Sequence, residues 1–281
     1  MATERSDELN GALKIGELPE LHIVAMDEVV LHEDPDMERV TRLLNDFSAD
    51  GVLRNPPVVG RADGSRRIVL DGANRVTALR TMGCRHALVQ ETDLADPGLA
   101  LESWHHAIEY LTPAELLAHA RGVSGVLVRD GRVDSPLTLA RYTFADGSGS
   151  TLSGSEDLLE RVEQLRQLTA IHHRVAFFDR VSYSDREHLR RHYRNFTALM
   201  SFRRFAREDL VDLARRNRRL PSGITRVLLP KRALRINLQF QILLADLSVE
   251  EKETWLQQNI RERVAAKAIR FYREPTFVFD E

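Results

Sequence analysis

A single cysteine, Cys84, stands in the 281 residues. It excludes an intramolecular disulfide and any zinc site built from cysteines, and a chain so poor in thiols fits a reducing cytoplasm. Charge of one sign is not in excess either. With 40 Lys and Arg against 42 Asp and Glu, the formal net charge is −2, so nothing global points to nucleic acid or to a membrane surface. No hydrophobic run approaches the length of a membrane span. Met1 to Asn10 is polar and acidic with no apolar stretch behind it, unlike a signal peptide. Internal repeats and long low-complexity tracts are also missing. What remains, 43% hydrophobic and 29% charged, is an ordinary globular composition, enough for one large domain or two modest ones.

The most informative stretch is Ile68 to Gly83, IVLDGANRVTALRTMG. Ile68-Val69-Leu70 is a short apolar run, Asp71-Gly72 a turn, and Val76, Leu79 and Met82 follow at helical spacing, so the segment predicts strand, tight turn and helix. The first N–H groups of such a helix have no intrahelical partner. With Arg75 beside them they form an electropositive seat suited to a phosphate. A plain strand-to-helix connection with a surface arginine accounts for the same residues.

The flanks extend this unit. Residues 1–18 read as a flexible leader. Leu21 to Leu31 reads as a strand interrupted at Met26-Asp27-Glu28, and it runs into the polar cluster His32-Glu33-Asp34-Pro35-Asp36. Asp36 is a good N-cap for a helix whose apolar stripe is Val40, Leu43, Leu44 and Phe47 and whose stop is Gly51. Pro56-Pro57 excludes helix, Val58-Val59 starts a strand, and Ala62-Asp63-Gly64-Ser65 reads as a hairpin turn back into Ile68. His86 to Val89 is a further strand. Residues 19–97 therefore predict a compact α/β domain, with Glu33 and Asp71 each closing a strand. In such units ligands sit where strand ends open toward helix N-termini.

This order of parts, from the strand ending in His-Glu through the Asn-Pro-Pro-Val-Val strand to Asp71-Gly72-x-Asn74-Arg75 and the helix ending Met82-Gly83, resembles the N-terminal domain of the ParB/sulfiredoxin superfamily. Within it the chain is most similar to the free L-serine kinases. A sulfiredoxin activity does not fit, because the position of its reactive cysteine is Ala73 and Cys84 lies beyond the following helix. Gly72-Ala73-Asn74-Arg75 also departs from the Gly-Glu-Arg-Arg nucleotide box of partition proteins, lacking the acid and one arginine.

Residues 98–281 predict a larger, mostly helical part, giving an α/β (α+β) chain overall. Ser103-Trp104-His105-His106 reads equally as a packing aromatic with solvent-facing histidines; adjacent histidines point apart, which disfavours a shared metal. Thr112-Pro113 starts a helix, Val123 to Val133 reads as two short strands, Ala145 to Ser155 as an exposed loop without a Walker lysine, and Glu156 to Leu168 as a charged helix. Arg186 to Arg235 is dense in arginine, which fits a nucleic-acid surface, solvated helix faces or attraction for polyphosphate. Pro221-Ser222-Gly223 reads as a loop before a strand at Val227, and Ser248 caps a last helix ahead of Phe271 to Phe279.

The resemblance implies a kinase that takes a phosphoryl group from ATP or ADP, with Mg²⁺, and makes O-phospho-L-serine in the cytoplasm. It implies Glu33 as general base and Asp71 as a catalytic and metal-binding carboxylate. Gly72, Ala73, Asn74 and Arg75 would hold the nucleotide, and Trp104, His106, Thr225 and Arg226, supplied by residues 98–281, would complete the serine pocket. The alternative is a ParB-like, nucleotide-sensing DNA-binding regulator, whose DNA affinity would fall steeply with salt.

Overall fold

The computed structural model describes residues 15–61, 66–175 and 177–272. Its first part runs β1 (Glu20–Ala25), β2 (Val29–Leu31), α1 (Met37–Asp50), β3 (Val52–Leu53), β4 (Val58–Arg61), β5 (Arg67–Asp71), α2 (Ala73–Thr81) and β6 (His86–Thr92). Five of these strands form one sheet in the order β1-β6-β4-β5-β2, with β2 parallel to β5 and Leu31 opposite Val69. Local chemistry sets the ends as the sequence predicts. Asp36 caps α1 by accepting the Arg39 N–H at 3.2 Å, and Gly51 ends it at φ 69°. Gly72 starts α2 at φ 98°, where a β-carbon would also meet Pro57 at 3.1 Å, so the turn admits little but glycine.

The second part runs β7 (Ala100–Ser103), β8 (His105–Glu109), α3 (Pro113–Gly122), β9 (Leu127–Asp130), β10 (Thr138–Phe144), β11 (Gly149–Ser153), α4 (Leu158–Val175), β12 (Phe177–Val181), α5 (Arg186–His192), β13 (Phe196–Phe202), α6 (Arg207–Arg215), β14 (Thr225–Leu228), β15 (Leu238–Gln239), α7 (Phe240–Leu244) and α8 (Val249–Ala265). A mostly helical part is not what forms here. A six-stranded antiparallel sheet, β12-β8-β13-β10-β11-β9, is its frame, with α3 and α4 packed into the same apolar core. The strands are half-buried and short, so β10 (TLARYTF) alternates apolar and polar residues and offers little hydrophobic run to read.

Two local readings change with it. The glycine- and serine-rich stretch Ala145 to Ser155 is not an exposed loop but contains β11, buried along most of its length, because its hydroxyls find partners: Thr151 Oγ1 donates to the Gly131 carbonyl at 2.9 Å and Ser150 Oγ to Asp130 at 3.4 Å. Between Val123 and Val133 there is one strand, not two. The hairpin at Ala62 to Ser65, most of the leader and most of Phe271 to Phe279 lie outside the described residues.

The end of the chain returns to the first sheet. β15 pairs with β3, Leu238 opposite Leu53, and Leu238, Phe240, Leu243 and Leu256 share a core with Ile23, Leu79 and Leu88. A boundary at residues 97/98 thus separates the two sheets but not the two cores. No helix among the described residues is long and apolar enough to cross a membrane.

Candidate active site

The two parts of the chain meet where β2 ends. The His32 carbonyl accepts the Leu220 N–H at 2.7 Å and the Asp34 N–H donates to the Leu220 carbonyl at 2.8 Å, a one-residue parallel bridge that stitches Glu33 to the chain entering β14. Beyond Leu220, Pro221-Ser222-Gly223 turns the backbone with Gly223 at φ 78°. That turn aims consecutive N–H groups at one point, a concavity suited to an anion.

Glu33 fills it. Its Oε1 accepts the N–H groups of Ile224 at 3.2 Å and Thr225 at 2.5 Å and the Thr225 hydroxyl at 2.6 Å, while among the described residues Oε2 accepts only the Gly223 N–H at 3.0 Å. Oε2 thus keeps lone-pair capacity that Oε1 has spent. Behind Thr225 lies His32, buried, with Nε2 at 2.7 Å from Thr225 Oγ1 and Nδ1 against the Val69 carbonyl. The sequence offered His32 only as part of a polar cluster; its burial is what separates it from its neighbours.

Asp71 ends β5, the strand parallel to β2, so it and Glu33 each stand two residues past the facing pair Leu31 and Val69. One Asp71 oxygen, Oδ2, is taken by Arg75 at 3.1 Å and Arg232 at 2.6 Å. Burial alone would push this carboxyl up, but the two guanidiniums outweigh it and hold it below the usual carboxylate range. From Nη1, Arg75 also donates to the carbonyls of Asn55 at 3.1 Å and Pro56 at 2.9 Å, which pins the β3–β4 connection to the α2 start. Asn74 accepts the Asp36 N–H at 2.8 Å, so the N-termini of α1 and α2 are tied together. Gly72 and Ala73 open α2, whose first N–H groups face outward from the helix start.

Trp104 and Arg226 converge on the far side of the turn. The Trp104 N–H donates to Ile224 O at 2.9 Å, and the Arg226 guanidinium lies 5.1 Å from the centroid of the Trp104 ring. Arg226 also pairs with Glu102 at 3.7 Å. His106 is fully buried between Phe178 and Phe202, with Nε2 at 3.2 Å from the Gly223 carbonyl. It supports the turn from beneath.

Two arginines had no signal in the sequence. Arg166 of α4 holds Asp34 and donates to the Arg219 carbonyl at 2.9 Å, bracing the bridge at Leu220. Arg180 of β12, opposite His106 in β8, reaches Ser222 Oγ at 3.2 Å. Burial, then the nearby Arg39, lower its proton affinity below the ordinary guanidinium value. Elsewhere the arginine-rich stretch is largely engaged: Arg203 with Asp209, Arg204 with Glu102, Arg216 with Asp212 and Arg207 with the Asp96 and Leu99 carbonyls.

The arrangement offers a carboxylate with one partly open oxygen, a helix N-terminus one strand away, and guanidiniums bonded to Asp71 and Ser222 beside them. Such a set can accept a proton from a small hydroxyl compound and hold a phosphate next to it. No family model matches the chain. Its sequence is 22% identical over 238 residues to the ATP-dependent L-serine kinase SbnI of Staphylococcus aureus (strain NCTC 8325 / PS 47), spanning 84% of this chain and 89% of that one. The solved structure of SbnI with a C-terminal truncation, from Staphylococcus aureus, superposes with a TM-score of 0.71 at 18% identity, covering 89% of this chain and 97% of that one. A free serine kinase in complex with AMP superposes with a TM-score of 0.68 at 13% identity, covering 81% and 95%. The chain shares their mixed α/β fold over most of its length.

Proposed function

We propose that this protein is a nucleotide-dependent kinase of free L-serine that produces O-phospho-L-serine. The observation that carries the reading is the Glu33 carboxylate, held by four donors of the 223–225 turn with Oε2 partly open, in a chain that shares the free serine kinase fold over most of its length. The ParB/sulfiredoxin-type description of residues 19–97 belongs to the same proposal.

In the reaction the serine hydroxyl oxygen forms a bond to the terminal phosphorus of the nucleotide. The bond from that phosphorus to the bridging oxygen breaks, its electron pair stays on the departing nucleotide, and the serine proton passes to Glu33 Oε2. The rest is alignment. The α2 N-terminus with Gly72, Ala73 and Asn74 receives the donor phosphates, while Arg75 keeps Asp71 and the Asn55-Pro56 backbone in place around them. Trp104 and Arg226 wall the serine pocket, with His106 and Thr225 fixing the turn that forms its floor.

Mg²⁺ fits this donor set in one way. Asp71 Oδ2 is occupied by arginines, and among the described residues no group of three or more His, Cys, Asp or Glu gathers to hold a metal. Asp71 Oδ1 would then be the protein ligand, with nucleotide oxygens and water as the remainder, the usual way Mg²⁺ is held at such sites. Bound there, the ion would neutralise phosphate charge.

Both ATP and ADP are donors to test, since SbnI is named for ATP and the solved free serine kinase carries AMP, the nucleotide left when ADP yields its terminal phosphate. The experiment is ³¹P NMR of the full chain with Mg²⁺, L-serine and either nucleotide. A phosphomonoester signal from one donor is expected, falling by about 10²-fold or more in rate for Glu33→Gln. Nucleotide binding with no phosphoserine from either donor would overturn the assignment in favour of a nucleotide-sensing regulator, for which salt-sensitive duplex DNA binding is then the test.

A further inference from the structure

Arg180 is placed and bonded unlike a structural arginine. Its side chain is 16% exposed, yet among the described residues its five N–H donors make one hydrogen bond, to Ser222 Oγ at 3.2 Å, and one longer approach to Asp36 Oδ2 at 3.9 Å. A guanidinium this far from water ordinarily satisfies its fork against carboxylates or carbonyls, because leaving it short of partners is costly. Arg39, itself paired with Asp36 at 3.6 Å, adds a second positive charge nearby. Glu33 and Asp36 oppose these two charges, but among the described residues only Asp36 comes within 4 Å of the Arg180 guanidinium, so most of the Arg180 fork is left without a partner.

The location gives the unfilled donors a purpose. Arg180 passes directly under the turn that holds Glu33, so close that a β-carbon on residue 223 would lie 2.1 Å from its Nε and 2.2 Å from its Cζ. On one side it bonds Ser222 of that turn; on the other it approaches Asp36, whose own N–H is held by Asn74 of the nucleotide box. It thus stands between the proposed base and the proposed donor seat, where a group in transit would pass.

We propose that Arg180 binds the phosphoryl group as it moves, donating hydrogen bonds to its equatorial oxygens while the serine oxygen–phosphorus bond forms and the phosphorus–leaving oxygen bond breaks. Arg180 gives up no proton; the serine proton goes to Glu33 and the leaving electron pair to the nucleotide. This inference rests on the kinase reading above. It assigns to β12 a contact that neither the DGANR segment nor the Trp104 and Thr225 motifs contain. Glycine at 223 is then required for passage of the side chain as well as for the turn.

The test uses the full chain with Arg180→Lys and Arg180→Ala, wild type alongside, and resolves kcat from KM for serine and for the nucleotide. A phosphoryl-binding arginine predicts kcat lower by about 10²-fold or more with both KM values within about 3-fold, and partial recovery of Arg180→Ala by added guanidinium. Thermal melts check folding, and if Arg180→Ala fails to fold, Arg180→Lys carries the kcat comparison. An undiminished kcat overturns the proposal, as does a loss lying wholly in the KM for serine, which would mark a clamp for the substrate carboxylate. A wild type that makes no phosphoserine overturns the kinase reading and this proposal together; an active wild type matched by its Arg180 variants overturns this proposal alone.

Discussion

Thr225 holds the hinge of the site's polar chemistry, because its one hydroxyl is shared between a buried histidine at 2.7 Å and the Glu33 carboxylate at 2.6 Å. Replacing it by valine keeps the shape and leaves His32 Nε2 without its partner and Glu33 with one donor fewer. Unfolding in urea is expected to show Thr225→Val less stable by about 1–3 kcal/mol, with Thr225→Ser restoring most of the loss. An equal loss in both variants would point to the methyl group instead. The sequence singled out Thr225 and Glu33 separately, nearly two hundred positions apart, and each had a local mark: a strand running into acids, and a glycine turn running into a strand. Nothing local marked Arg180. An arginine in a short strand reads as a solvent-facing residue until the strand's neighbours are known, and those neighbours, β8 and the 221–224 turn, come from distant parts of the chain.

Among elements, the turn from Pro221 to Thr225 carries more than its length implies, since Glu33, His106, Arg180 and Trp104 all contact it. Gly223 sits at its centre with φ 78°. Gly223→Ala adds a β-carbon into the Arg180 guanidinium and strains a left-handed backbone, which costs about 1 kcal/mol for a non-glycine residue. The fold should survive and kcat should fall by about 10-fold or more, because Arg180 must move aside. Combined with Arg180→Ala, the two losses should not add, as a double-mutant cycle would reveal. Additive losses would mean that the turn acts on Glu33 alone. Helices were the legible elements here: Asp36, Thr112 and Ser248 each cap a helix with the side chain expected of them. The six-stranded sheet was not, because its strands mix apolar residues with Ser, Thr and Arg and, the β10–β11 hairpin aside, pair through contacts that no local window contains.

At the scale of the whole molecule, the chain's return to its first sheet ties the two halves together, and α8 is the clasp. Glu253 of α8 accepts the Ile23 N–H at 2.6 Å and meets His22 Nδ1 at 3.1 Å, while Gln257 donates to the Leu21 carbonyl at 3.1 Å. The hydrogen bond to Glu253 raises the His22 pKa against the opposing effect of burial. Burial pushes Glu253 up, but His22, the Ile23 N–H and Gln257 together hold it below its usual value. The two shifts bound a pH window. Stability from a raised histidine is complete below its unfolded pKa of about 6.5 and is lost as pH rises through the higher folded value. Stability from a depressed glutamate is present above about 4.3 and is lost as pH falls through the lower folded value. The clasp should therefore be firmest between about pH 5 and 6.5 and should weaken on the alkaline side as pH rises through the raised folded pKa of His22. Melting temperatures of wild type and Glu253→Gln across that range test it: their gap should be widest in mildly acidic buffer and shrink on the alkaline side. A gap that stays constant with pH would mean that the clasp depends on the neutral hydrogen bonds of Gln257 and the apolar contacts of Leu256, not on charge. Because α8 grips β1, at the opposite edge of the sheet from β2 and Glu33, Glu253→Gln should lower stability while leaving the KM for serine unchanged.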